Sequence, residues 1–395
     1  MALADASRQV YGGIGHVSSA PQHLLHAFST FAVGGQQTRF VSLANALGGK
    51  YRHTILAMDG NHEAAAGLAA GVDFTIETMP VVKSGGVSLA NLRAMRGLLK
   101  RLRPDLLCTY NWGTIEWALA NRLSAICPQI HIEDGFGPDE APDRQHFRRR
   151  VMRRFSLSRC VRVVVPSRVL QDVAIGKWRL AAEQVLYLPN GIDCERFARA
   201  PDGELLKSFG IAGDHVVVGT VAALRAEKNL ERLLNVFAAS RLPPSARLVI
   251  VGDGPQRDML AQTASRLGIF GQTIMTGAMN APERILGRFD VFALTSDTEQ
   301  MPNSVLEAMA AGLPVLATDV GDVKQMLAAE NATYVLPRED ADGLARALLA
   351  LVEDGAARQG IGSKNQAKVR SEYALETMVR RYDTLFDGAI RGKVS

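Results

Sequence analysis

The sequence predicts an α/β protein made of two doubly wound domains, and three observations carry that expectation. Short apolar runs bounded by turn residues alternate with segments of helical period, the rhythm of βα units around a parallel sheet. The rhythm runs twice, over residues 24–110 and again over 216–317. At 395 residues the chain exceeds one ordinary core and suits two domains of common size.

Taken in order, residues 1–22 carry Gly12-Gly13, Gly15 and Ser18-Ser19 and are expected to form a flexible leader. A first domain over 23–188 opens with a strand at 24–28 and a helix at 38–47. A strand at 54–58, a helix at 89–102 and a strand at 106–110 follow. The run Leu188-Pro189-Asn190-Gly191-Ile192-Asp193 punctuates the chain between a strand and a helical segment, and marks the junction. A second domain over 189–374 repeats the pattern, with strands at 216–221, 247–251, 291–294 and 315–317 and helices at 230–237 and 257–267.

Composition excludes several classes of function. An apolar content of 47% with 22% charged residues is that of a soluble globular enzyme, and the net charge of +5 is too mild to imply nucleic acid. Cys108, Cys127, Cys160 and Cys194 lack the paired spacing of zinc or redox sites, so free thiols in a reducing cytoplasm are expected. No stretch is apolar for long enough to cross a bilayer.

The run from Thr298 to Thr318 narrows function furthest. It reads as a loop, a helix from near Pro302, a stop at Gly312-Leu313-Pro314 and a buried strand. Glu299 precedes the helix and Glu307 lies inside it. Carboxylates beside the amides of a helix N-terminus suit a ligand that carries both a phosphate and sugar hydroxyls. The alternative makes Glu299 a first-turn acid and Glu307 a solvated surface residue. It is disfavoured because Glu307 stands in an otherwise apolar run, where an unpaired charge is costly to bury.

This run closely resembles the signature of the retaining glycosyltransferases of family 4, Glu-Gly-x-Pro, four residues, then Glu-Ala-Met-Ala-x-Gly-x-Pro-Val. Gln300 stands where that family has Gly. The resemblance implies the GT-B architecture, two Rossmann-like domains facing a central cleft, with the acceptor on the first and the nucleotide sugar on the second. A last helix within 375–395 would cross back to the first domain. The implied reaction moves a sugar from a UDP- or GDP-linked donor to a saccharide or lipid-linked acceptor hydroxyl with retention, in the synthesis of a cell-surface polysaccharide or glycolipid. Glu307 would take the ribose hydroxyls, Glu299 the hydroxyls of the transferred sugar, and the backbone at Met301, Pro302, Asn303 and Ser304 the diphosphate. In resembling enzymes the leaving phosphate itself takes the acceptor proton.

Other segments add candidates. Gly34-Gly35 precedes a helix, where bare backbone can approach a phosphate or simply turn tightly; the resemblance puts this loop under the diphosphate. Lys228 follows the strand at 216–221 and matches the family's lysine, whereas the family's arginine position is Ala223 and Arg225 lies two residues later. Both cations could instead neutralise Glu227 and Glu231. Gly252, in Gly252-Asp253-Gly254-Pro255, reads as a mainly structural turn, and the backbone at Gly277 and Met279 would meet the base. In the resembling family a histidine close to the transferred sugar often stands where this chain has Asp134. There it could accept sugar hydroxyls or offset positive charge at the anomeric carbon, or merely form an Asp-Gly turn.

Arg144, Arg148, Arg149, Arg150, Arg153 and Arg154, interleaved with Phe147, Val151, Met152 and Phe155, would wrap into a cationic face beside an apolar stripe. Arg93, Arg96, Lys100, Arg101 and Arg103 extend it. Such a face suits an anionic membrane, peripheral attachment to its inner side, and a lipid-linked acceptor; the alternative is a solvated helix. Asp340-Ala341-Asp342 reads as a helix cap, so neither a metal nor a cofactor beyond the donor is expected. A nucleotide-sugar epimerase of the same fold and a non-catalytic nucleotide-sugar-binding protein are the alternative functions.

Overall fold

The computed structural model describes residues 20–79, 87–136 and 139–392. Residues 1–19 of the expected leader and 393–395 of the final segment lie outside them. The first domain is built from β1 (Gln22–Phe28), α1 (Gly35–Leu47), β2 (Tyr51–Ala57), β3 (Asp73–Glu77), α2 (Leu89–Leu102), β4 (Leu106–Tyr110), α3 (Ile115–Arg122), β5 (Gln129–Ile132), α4 (Phe147–Leu157), β6 (Arg162–Val165), α5 (Arg168–Gly176) and β7 (Val185–Tyr187). Its sheet has the order β3-β2-β1-β4-β5-β6-β7 and is parallel throughout, Leu24 lying opposite both His53 and Leu106. Central strands of such a sheet are covered on both faces, which is why β4 is apolar and buried along its whole length.

The link and second domain comprise α6 (Cys194–Phe197), α7 (Gly203–Ser208), β8 (Val216–Val221), α8 (Leu230–Ala239), β9 (Ala246–Val251), α9 (Arg257–Arg266), β10 (Thr273–Gly277), α10 (Glu283–Leu286), β11 (Val291–Leu294), α11 (Asn303–Ala310), β12 (Val315–Thr318), α12 (Val323–Met326), β13 (Val335–Leu336), α13 (Ala341–Glu353) and α14 (Gly355–Glu372). This sheet is also parallel, in the order β10-β9-β8-β11-β12-β13. In each sheet the strand order reverses direction beside the first strand, and ligands of open α/β sheets bind outside the carboxyl ends of strands at such switch points.

The last helix, α15 (Leu375–Ile390), returns to the first domain. Met378, Val379, Tyr382, Leu385, Phe386 and Ala389 join Leu24, Phe28 and Phe40 in one buried cluster. Lys50 and Tyr51 bond Asp383 and Asp387 at its rim, at 2.5 to 3.2 Å.

Two of the boundaries that differ from expectation bear on the site. Helix α1 starts at Gly35, earlier than residue 38, because Thr38 N–H already donates to Gly34 O at 2.8 Å. Pro302 is the residue before α11 and extended (φ −69°, ψ 122°), so the helix opens at Asn303.

Candidate active site between the domains

On the second domain the turns after β8 and β9 lie back to back. Ala222 N–H donates to Val251 O and Leu224 N–H to Asp253 O, both at 3.0 Å. Gly252 makes this approach possible: its φ is +144°, and a Cβ there would stand 1.9 Å from Ala222 O. The paired turns lead into a 3-10 turn that ends at Lys228. Lys228 Nζ donates to Glu299 Oε1 at 2.6 Å, and Ser296 Oγ donates to the same oxygen at 2.7 Å. Arg225 is exposed, its side chain making no hydrogen bond or ion pair among the described residues, and Ala223 is exposed beside it.

From Glu299 the chain runs directly into α11. No side chain caps that helix, so its first N–H groups have no side-chain acceptor. Gly35 of the first domain lies opposite: a Cβ built there would be 3.6 Å from Asn303 Nδ2. The Gly34-Gly35 backbone and the helix terminus are thus brought face to face. Ser304 is half-buried beside them, whereas the Met301 side chain turns inward into the second core.

Glu307 is half-buried, close to the Arg196–Glu283 ion pair (2.9 Å), and its carboxylate accepts no hydrogen bond among the described residues. Burial raises its pKa to about 7; Arg196 pulls it down in part and Glu283 pushes it up. Gly277 bonds the glycine turn through Gly252 N–H (2.9 Å), and Met279 packs against the second core.

Gln300, the departure from the family signature, is buried and crosses to the first domain, where Ser167 Oγ donates to its Oε1 at 2.9 Å. Asp322 crosses nearby and accepts the N–H groups of Arg168 and Val169 at the start of α5, at 2.6 and 3.1 Å.

Asp134, expected near the transferred sugar, is held by residues of its own domain. Arg39 binds both its oxygens, Gln36 donates to one of them, and Asn111 Oδ1 accepts the Asp134 N–H at 2.7 Å. Sequence reasoning missed Arg39. Its signal was a charged residue beside Phe40 in a helix that also buries Leu43 and Ala44, and only the fold reveals its partner.

Helix α4 also departs from expectation. Arg153 is fully buried, bonded to Glu140 at 3.0 Å, 3.6 Å from Glu133, and boxed by Trp112, Phe136 and Trp178. Arg149 pairs with Asp139 (2.7 Å) and Glu140 (3.3 Å). Arg153 is internal and Arg149 half-buried because carboxylates on the preceding loops give them partners. Outward instead go Phe147, Val151 and Phe155, exposed by 73, 50 and 48%, flanked by exposed Arg144, Arg148 and Arg154. On α2, Arg93, Lys100 and Arg103 are exposed and Arg101 pairs with Glu77 at 3.0 Å. Asp340 caps α13, accepting Gly343 N–H at 2.8 Å.

Two parallel-sheet domains that meet beside the start of α11 and the Lys228–Glu299 pair have the GT-B arrangement. The family profile for Glycosyltransferase Family 4 matches residues 33–196, and that for glycosyl transferases group 1 matches 202–368. The chain belongs to the family 4 glycosyltransferases. It is 25% identical to N-acetyl-alpha-D-glucosaminyl L-malate synthase of Bacillus anthracis over 51% of this chain and 53% of that one, so the match spans about half of that relative. It is also 25% identical to the UDP-Gal:alpha-D-GlcNAc-diphosphoundecaprenol alpha-1,3-galactosyltransferase of Escherichia coli, over 67% and 71% of the two chains. Among solved structures, Anabaena HepE in complex with UDP superposes with a TM-score of 0.79 at 18% identity, over 93% of this chain and all of that one, a likeness of fold.

Proposed function

We propose that the protein transfers a sugar from a nucleoside diphosphate sugar, UDP-linked in preference to GDP-linked, to an acceptor hydroxyl with retention, in the assembly of a cell-surface saccharide or glycolipid. The observation that carries this reading is the meeting of the uncapped α11 terminus, Gly34-Gly35 and the Lys228–Glu299 pair in one cleft. As the glycosidic bond breaks, negative charge grows on the leaving diphosphate. Lys228, with Arg225 free to reach in and the N–H groups at Asn303 and Ser304, offsets it. Glu299 takes hydroxyls of the sugar and Glu307 those of the ribose, while the backbone near Gly277 and Met279 meets the base. The UDP bound by HepE and the UDP-Gal in the Escherichia coli relative's name favour uridine.

The test is thermal stabilisation by a panel of UDP- and GDP-sugars, followed by hydrolysis of the best ligand with the anomer read by NMR. A ligand at one hundred times its Kd adds about 2.7 kcal/mol. Stabilisation by no nucleotide would sink the reading, and interconversion of sugars without net release would favour an epimerase.

A specific observation favours a membrane-borne acceptor. Phe147, Val151 and Phe155 repeat every fourth residue on α4, so they form one outward stripe between arginines. Apolar side chains beside cations fit an anionic lipid surface, on the cytoplasmic side in this reading. No helix among the described residues is long and apolar enough to cross a membrane.

A further inference from the structure

Arg39 lies four residues beyond Gly35 on α1, and its side chain is only 6% exposed. A guanidinium buried this far needs its charge and most of its N–H groups answered. Asp134 answers the charge through two hydrogen bonds, that from Nη2 being 2.9 Å. Burial alone would lower the Arg39 pKa, but Asp134 outweighs it and the net shift is upward. The remaining Nη1 hydrogen goes to Asn190 Oδ1 at 2.7 Å.

Asn190 belongs to neither sheet; it opens the link between them. Its Nδ2 donates to Met301 O at 3.1 Å and to Asn303 Oδ1 at 3.0 Å, and its N–H meets Met301 Sδ at 3.2 Å. A polar chain therefore runs from Asp134, on the loop after β5, through Arg39 and Asn190 to the first residue of α11. We propose that Arg39 is a positioning residue: it sets the α11 terminus in register with residues 133–136, so that the donor half and the acceptor half of the site meet in one arrangement. The inference rests on the reading of the cleft as a sugar-transfer site. Lysine cannot replace it, because a point charge lacks the planar fork that reaches Asp134 and Asn190 together. Gln300 also lies against Gly135, where a Cβ would stand 3.2 Å from its Cγ, but its bond to Ser167 and those of Asp322 involve neither Arg39 nor Asn190, so loss of the chain loosens the register without releasing the domains.

The test compares full-length wild type, Arg39→Lys, Asn190→Ala and the double variant. The probes are UDP for binding and UDP-glucose for hydrolysis. Arg39→Lys is expected to lower kcat by about tenfold or more, because small misplacements of reacting groups are costly, with KM within about threefold. Asn190→Ala should reproduce the loss, and the double variant should be no worse than the worse single, since both break one chain. Hydrogen exchange supplies a readout independent of turnover. UDP should protect both 299–306 and 133–136 in the wild type, but only 299–306 in Arg39→Lys.

Protection of both segments in Arg39→Lys would overturn the proposal. So would losses that multiply in the double variant, or UDP affinity down by about tenfold, which would make Arg39 a ligand of the nucleotide. Those outcomes leave the sugar-transfer reading standing. A wild type that binds neither UDP nor GDP would overturn that reading and this inference together.

Discussion

Lys228 Nζ and Glu299 Oε1 stand 2.6 Å apart across the mouth of the second sheet, so each serves as the other's partner before a donor arrives. A diphosphate that takes the lysine and a sugar that takes the carboxylate replace one internal bond by two with the ligand. Because the charge opposed by Lys228 grows as the bond breaks, Lys228→Ala should lower donor hydrolysis by about 100- to 1,000-fold, more than it weakens donor binding. Steady-state kinetics check this, and an unchanged kcat would remove Lys228 from the chemistry.

On the proposed reading, Glu307 would tie nucleotide binding to proton release. Its pKa of about 7 lies above that of an unfolded glutamate, so the folded carboxylate is a strained charge that disfavours folding as pH rises from about 4.5 to 7. Ribose hydroxyls donating to it favour the ionised form. UDP binding at pH 6.5 should then release protons, seen as a dependence of binding heat on the buffer's ionisation enthalpy. Glu307→Gln should abolish the release and weaken UDP by about 1.5–3 kcal/mol. The same variant should be more stable than wild type at pH 8, by up to about 3 kcal/mol, and not at pH 4. Lower stability at both pH values would make the residue structural.

The first sheet is expected to be acid-labile. His26 Nε2 and His53 Nδ1 are 3.0 Å apart in the core, with His26 Nδ1 3.0 Å from Tyr110 OH and Phe40 packed against both rings. Burial lowers both pKa values, and His23 lowers them further; that of His53 falls to about 4. A depressed histidine contributes stability fully above its unfolded pKa, about 6.5, and loses it as pH falls through the folded value. His53 alone should withdraw about 3 kcal/mol between pH 7 and 4, measured by urea unfolding. A slope unchanged by His53→Gln would contradict this.

For the membrane face, the wild type should sediment with vesicles containing anionic lipid at low salt and detach as salt rises, since the attraction is screened within roughly 10 Å at 0.1 M. Phe147→Ser with Phe155→Ser should abolish most binding with the fold intact. Arg153→Glu should instead fail to fold, because it buries a third carboxylate beside Glu133 and Glu140. Sedimentation unaffected by the two serines would remove α4 as the contact.

Both sheets were legible because a parallel sheet needs continuous apolar strands, and β4 and β8 supply them at recognisable intervals. The signature loop was legible because a charge inside an apolar run demands a reason, as Glu307 does. Arg153, and in part the half-exposed Arg149, were misread as surface residues for the converse reason. Their partners, Asp139, Glu140 and Glu133, come from loops whose path no helical period records. Arg39 and Gln300 escaped for the same cause, since each is explained by a partner roughly one hundred residues or more away in the chain, at Asp134, Asn190 and Ser167.

The return of α15 governs the order of folding. Leu24, Phe28 and Phe40 are made early in synthesis, but the apolar face that covers them waits for Met378, Tyr382 and Phe386. The first domain therefore emerges with an open seam and closes only after the second has been made, an exception to domain-by-domain folding from the N-terminus. Chains cut before Leu375 should expose that seam and aggregate, even though both sheets are complete.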